Sequence, residues 1–267
     1  MSSERRKTPS VLRRSAGEVK SYRRLKKVIP AVSGAIIVLL VIIYIISLLF
    51  SRYGSFTVRI TDMNNRRYSL SLAENDKFIN PVSRLNSKAV KDATNIDGNT
   101  LPNTLCDVNG EHNGENYVAY TFYCKNTGTE EVSYSYQLLI SRKTIGIDAA
   151  IRVRIYYTPF YYDSATGDYD INRDYTDYAK PKTGGGGEPE TDPHDRVMTN
   201  FASSDVVTEG IIEGFKPGDI SKITVVIWIE GNDPDCTDDI IGGEFKVDME
   251  MTVVSGGETS DNARYAG

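Results

Sequence analysis

The sequence is poor in the residues that do chemistry: its 267 positions hold two histidines, three cysteines and one tryptophan. His112 lies in Gly110-Glu111-His112-Asn113-Gly114-Glu115 and His194 beside Pro193, so neither belongs to the paired helical spacing of HExxH. A zinc peptidase centre needs that pairing and a further ligand, and the chain offers neither. A Ser-His-Asp arrangement could be assembled only by free choice among many serines, so no catalytic residue is assigned and no enzyme is expected. Three cysteines cannot all pair and are too few for a disulfide scaffold. Cys124 continues the face of Val118, Tyr120 and Phe122 and reads as a small buried hydrophobe. Whether any two of Cys106, Cys124 and Cys236 are joined stays open at this level.

A second absence is local. Residues 28–50 contain no Asp, Glu, Lys or Arg, whereas residues 1–27 carry ten basic and two acidic residues. The rest of the chain is left with 21 basic against 34 acidic residues. An acidic body repels phosphates, so no nucleic-acid partner is expected. At the helical rise the 23 uncharged residues from Val28 to Phe50 reach about 34 Å, against about 30 Å of hydrocarbon. This predicts one transmembrane helix over 28–50, with Pro30 in its first turn, and a lipid bilayer as a partner. A cleaved leader is the competing reading, but the run exceeds the usual ~7–15 apolar residues and no small-x-small pair follows it. The basic cluster ahead of the helix predicts a cytoplasmic N-terminus, a single pass, and an outer domain over 51–254 with a flexible tail at 255–267.

Beyond the apolar run the hydrophobic period changes to two. In Glu244 to Val253, Phe245, Val247, Met249, Met251 and Val253 share one side and charged or polar residues share the other, the signature of a half-buried strand. Ile151 to Tyr157 and Tyr134 to Ile140 alternate likewise. Asn116 to Lys125 and Ser221 to Glu230 are apolar on both faces, as central strands would be. Ser55 to Ile60, Arg67 to Leu72 and Asp205 to Glu213 are shorter candidates. Eight strands with turn chemistry between them predict an all-β, antiparallel, jelly-roll-like sandwich. Two insertions interrupt it: residues 73–115, polar, with weak helical spacing around Leu85, Ala89 and Val90, and residues 158–196, which end in the linker-like Pro181 to Pro189.

The second insertion holds the candidate sites. In Asp168, Asp170, Asn172 and Asp174 oxygen-bearing side chains recur at every second residue, the spacing by which a loop wraps Ca2+. The EF-hand pattern then fails, since Arg173 stands where Gly is wanted and Ala179 where a bidentate Glu is wanted. A solvated hairpin tip is the alternative. Tyr161, Tyr162, Tyr169, Tyr175 and Tyr178 could form a stacking platform for a glycan or peptide, although tyrosine also favours strands for structural reasons. The acidic Glu230 to Asp239 segment joins two strong strands and reads as a turn.

The stretch Phe215-Lys216-Pro217-Gly218-Asp219, then Ile223 to Trp228-Ile229-Glu230-Gly231, Asp233-Pro234-Asp235-Cys236 and Gly242-Gly243-Glu244-Phe245, resembles the closing strands of the camelysin and TasA family. Tyr120 to Gly128 is similar to that family's strand ending in an Asn-x-Gly turn. The resemblance implies a surface protein of Gram-positive spore-formers, with relatives that build biofilm matrix fibres. Some relatives carry a metallopeptidase label, but without HExxH that activity is not carried over. The expectation is a membrane-anchored structural or adhesive surface protein, associating with itself or with related matrix proteins by strand addition through Ser55 to Ile60. A module binding glycan, peptide or Ca2+ through the Tyr/Asp-rich insertion is the alternative.

Overall fold

A computed structural model describes residues 29–30, 32–33, 36–44, 56–61, 67–144, 146–192 and 194–254, which fall into two units, Met1–Ser51 and Arg52–Gly267. In the first unit, residues 29–30, 32–33 and 36–44 are helical with exposed side chains. Among the described residues no helix is long and apolar enough to cross a membrane. The longest uninterrupted described stretch, 36–44, covers about 13 Å of the roughly 30 Å required. The expected crossing helix over 28–50 is therefore not found, and the rest of that segment, like the tail at 255–267, lies outside the described residues.

The second unit is built from strands. In chain order they are β1 (Phe56–Thr61), β2 (Leu70–Ala73), β3 (Arg84–Asn86), β4 (Gly110–Glu111), β5 (Tyr117–Asn126), β6 (Val132–Lys143), β7 (Ile151–Tyr162), β8 (Tyr175–Ala179), β9 (Thr199–Asn200), β10 (Val206–Phe215), β11 (Ile220–Ile229) and β12 (Phe245–Val254). One sheet has the order β10-β6-β12-β1-β3, and the other β2-β5-β11-β7-β8-β9 with β4 also on β5. All eight strands read from the sequence are present. Alternation fixed their inward faces: Phe56, Val58, Leu138, Val247, Met249 and Met251 of the first sheet meet Tyr120, Phe122, Val153, Ile223 and Val225 of the second in one apolar core. The Tyr134 hydroxyl crosses that core to Tyr157 Oη at 2.7 Å and Ser221 Oγ at 2.5 Å, so its polar atom is satisfied where burial would otherwise be costly.

Four expectations change. The sandwich is mixed, because β1 pairs with β12 in parallel, as does β8 with β9. β1 is also held by β3 on its other side, and its Phe56 and Val58 are fully buried, so Ser55 to Ile60 cannot serve as a free donor strand. Residues around Leu85 form β3 rather than a helix, because pairing with β1 outweighs a weak helical spacing. The second insertion is folded despite its linker composition. It supplies β8 and β9, turns back at 182–188 through Lys182 N–H to the Glu188 carbonyl at 2.9 Å, and buries Glu190 and Asp192.

Candidate functional site

The second sheet is covered on both faces, which is why β5 and β11 are apolar all round. Its outer face carries, in rows across β5, β11, β7 and β8, Tyr117-Trp228-Arg152-Ala179, Ala119-Val226-Arg154-Asp177 and Thr121-Thr224-Tyr156-Tyr175. Beyond these, Tyr123 adjoins Lys222. The first insertion lays Leu101, Leu105 and Cys106 over Ala119, Tyr156, Val226 and Trp228, forming a second, smaller core. Polar groups beneath this cover are paired. Thr121 and Thr224 hydroxyls meet at 2.7 Å, and Arg154 donates to both Asp177 oxygens at 2.6 and 2.9 Å. Burial works against the Arg154 charge, but Asp177 more than offsets it and holds the guanidinium above its ordinary pKa.

The Trp-x-Glu-Gly-x-Asp-Pro-Asp run is a buried clamp that fastens the first insertion to β11. Glu230 Oε2 accepts from the Trp228 indole N–H and from the Gly98 N–H, both at 3.0 Å, while Oε1 accepts from the Asn232 N–H and Nδ2 at 3.2 and 3.1 Å. Gly98 must be glycine, since a Cβ there would stand 2.7 Å from Trp228 Cζ2. Three residues on, Asp233 is fully buried in its side chain and ion-paired to Arg152, itself 1% exposed. Asp233 Oδ1 also accepts from the Asp235 N–H at 2.7 Å.

Glu190, Asp233 and Asp235 form a carboxylate cluster tight enough to share a cation. The guanidinium of Arg152 already stands at it, 3.8 Å from Glu190 as well as bonded to Asp233, and Thr183 Oγ1 donates to Asp235 at 2.6 Å. Burial first and the Asp233 charge second push the Glu190 carboxyl above its ordinary pKa, while Arg152 and Lys182 pull the other way. The cluster already holds a cation, the Arg152 guanidinium, and among the described residues no further observation points to a metal.

A separate cleft of about 260 Å3 opens where the two insertions meet the end of β11. Lys222 lies in it, 5.2 Å from the Tyr161 ring centroid and 5.8 Å from that of Tyr123. Rings continue outward from Tyr123 to Tyr161 at 5.4 Å, Tyr161 to Tyr169 at 5.4 Å and Tyr169 to Tyr162 at 4.9 Å. Asp76, Asp107, Asn109 and residues 170–173 complete the walls. Arg173 Nε donates to Asp107 at 3.1 Å, and the Tyr123 hydroxyl donates to Asn109 Oδ1 at 2.6 Å. Burial lowers the pKa of Lys222 below its ordinary value and raises that of the neighbouring Cys106 thiol.

The candidate residues from the sequence thus divide. Asp168, Asp170, Asn172 and Asp174 are exposed and do not converge as a cage. Asp170 Oδ1 accepts from the Asn172 N–H at 2.9 Å and Asn172 Oδ1 from the Asp174 N–H at 3.0 Å. These successive Asx turns direct one oxygen each of Asp170 and Asn172 at the loop's own backbone. Tyr161, Tyr162 and Tyr169 do form one aromatic chain. Tyr175 instead packs under the Arg154 guanidinium at 3.9 Å, and Tyr178 packs against the main core. Lys222 and Asp76 went unnoticed because one is the polar residue of a buried strand and the other sits in a polar loop; only their convergence marks them. All three cysteines are free thiols.

Among the described residues His112 has no hydroxyl or thiol within hydrogen-bond reach. Its Nδ1 bonds the Gly110 carbonyl at 2.9 Å, Nε2 is buried without a partner, and burial lowers its pKa below the usual 6.5. A histidine depressed in the folded state binds protons less readily than in the unfolded chain. Its contribution to stability is present above pH 6.5 and is lost as pH falls from there through the folded value. Urea midpoints measured from pH 7.5 down to 5 should therefore fall for the native chain and change less for His112→Gln; equal slopes would remove His112 as the cause.

No family model, curated protein or solved structure matches this chain.

Proposed function

We propose that the chain is a membrane-tethered, non-catalytic structural or adhesive protein of the cell surface, whose jelly-roll-like sandwich associates edge to edge through β10. The carrying observation is that β10, ten residues long, has β6 on one side and, among the described residues, no strand on the other. The remaining outer strands are short: β3 has three residues, β2 four, and β4 and β9 two each. An unpaired row of backbone N–H and C=O groups of that length is a template for another strand. Ile211, at its centre, is 53% exposed. The uncharged 28–50 segment behind a basic flank supports the tether, and the Trp228 to Cys236 run supports kinship with the camelysin and TasA family. The reading is tested by sedimentation of the full-length chain in detergent. Oligomers should form at micromolar concentration and be lost in Ile211→Lys, which places a charge on the edge without altering Trp228 emission. Oligomers that persist in that variant, or a native chain that stays monomeric, would remove the edge-pairing role. Ligand binding by the second insertion is the alternative, favoured by the aromatic chain from Tyr123 to Tyr162 beside the cleft.

A further inference from the structure

Two opposite charges in the cleft are left without partners. The Lys222 ammonium has no hydrogen bond or ion pair among the described residues, only the faces of Tyr123 and Tyr161. The Asp76 carboxylate, which also lines the cleft, likewise has none. Burial lowers the Lys222 pKa, the charges of Asp107 and then Asp76 oppose that, and neither carboxylate closes into a salt bridge with it. The fully buried charges of this sheet are paired, Arg152 with Asp233 and Arg154 with Asp177, and in the cleft wall Arg173 is paired with Asp107. A half-buried ammonium without an anion carries an uncompensated desolvation cost, which a ligand anion would offset. Arg173 holds only its Nε on Asp107 and keeps its two terminal nitrogens for the same anion. An anion alone fits poorly, because Asp76 would repel it. A neutral sugar would leave both charges unmatched.

We propose that this cleft binds a zwitterion of amino-acid or short-peptide size, with its carboxylate on Lys222 and Arg173, its ammonium on Asp76, and its body against the rings of Tyr123 and Tyr161. At about 260 Å3 the cleft falls below the roughly 300–1,000 Å3 of sites for drug-sized molecules, which limits the ligand to that size. Asn109, which lines the cleft, has its Oδ1 taken by the Tyr123 hydroxyl, so its amide N–H groups are the part left to donate to a peptide carbonyl. The inference goes beyond the structural role and does not depend on edge pairing through β10.

Calorimetric titration of the full-length chain in detergent with alanyl-alanine tests it, using N-acetyl-alanyl-alanine and alanyl-alanine amide as the two single-charge controls. The free dipeptide should bind at least about tenfold more tightly than either blocked form, since each loses one charge-assisted pair. Lys222→Met should weaken the preference for the free carboxylate, and with Arg173→Gln added should abolish it, while that for the free amine stays; Asp76→Asn should abolish the preference for the free amine and keep that for the carboxylate. Trp228 emission reports whether each variant is folded, and the blocked-ligand series on the native chain decides the matter should one fail to fold. No heat with millimolar dipeptide, equal binding of the blocked forms, or variants with both preferences intact would each overturn the proposal. So would glucose binding that Tyr161→Ala abolishes, which would make this a glycan site.

Discussion

Asp233→Ala is expected to destabilise the folded chain by about 3–5 kcal/mol, a large part of the roughly 5–15 kcal/mol available to a domain. The substitution leaves Arg152, 1% exposed, with only Glu190 at 3.8 Å and the carbonyls of Ala149 and Ile151 around its charge. Glu190 cannot replace Asp233 in full, because burial already works against its own ionisation. Arg152→Met combined with Asp233→Leu should cost less than Asp233→Ala alone, since removing both charges removes their desolvation together. The single tryptophan, 2% exposed and beside this network, reports unfolding directly by its emission in urea. A shift below about 1 kcal/mol in Asp233→Ala at unchanged m value would mean that the pair is incidental to stability.

Glu230→Ala should lower stability by about 4 kcal/mol. It strands two buried donors, the Trp228 indole N–H and the Gly98 N–H, at about 1–3 kcal/mol each, and frees the Asn232 turn. Glu230→Gln keeps an oxygen for Trp228 and Gly98 but turns an amide group toward the donors of Asn232, so about 1–2 kcal/mol is expected. Because Glu230 ties residues 96–98 to β11, Glu230→Ala should also expose the first insertion selectively. Amide exchange should rise over 96–107 before it rises in β5 or β7, and uniform acceleration across the sheet would show that the clamp has no local role.

Strand by strand, the legible part of the fold was the part coded by neighbours in sequence. Phe245, Val247, Met249 and Met251 announce a strand and its inward face through alternation alone, and β12 runs within one residue of that reading. Asn116 to Lys125 and Ser221 to Glu230 announced burial on both sides, but nothing local says that the covering layer comes from residues 96–106. Composition misled for the second insertion, where glycine and proline suggested a linker. Glu190 is buried there because Arg152 meets it, a fact of long-range pairing, while Asp192 is met locally by Arg196 four residues on. The evenly spaced acids at 168–174 were visible and chemically suggestive, yet each Asx turn spends an oxygen locally, and spacing cannot reveal where an oxygen points.

The sequence by itself determined that this is an all-β body with eight principal strands, which residues face its core, and that a basic, then uncharged, segment precedes it. Each depends on the periodicity or charge of adjacent residues, which the chain carries whatever its partners. Tertiary structure alone decided that β1 lies between β12 and β3 and so is no free edge, that β10 is the long outer strand among the described residues, and that Lys222 and Asp76 share a cleft. Those outcomes depend on contacts between residues far apart in the chain, where packing and hydrogen-bond satisfaction select one pairing among many that the same local pattern permits.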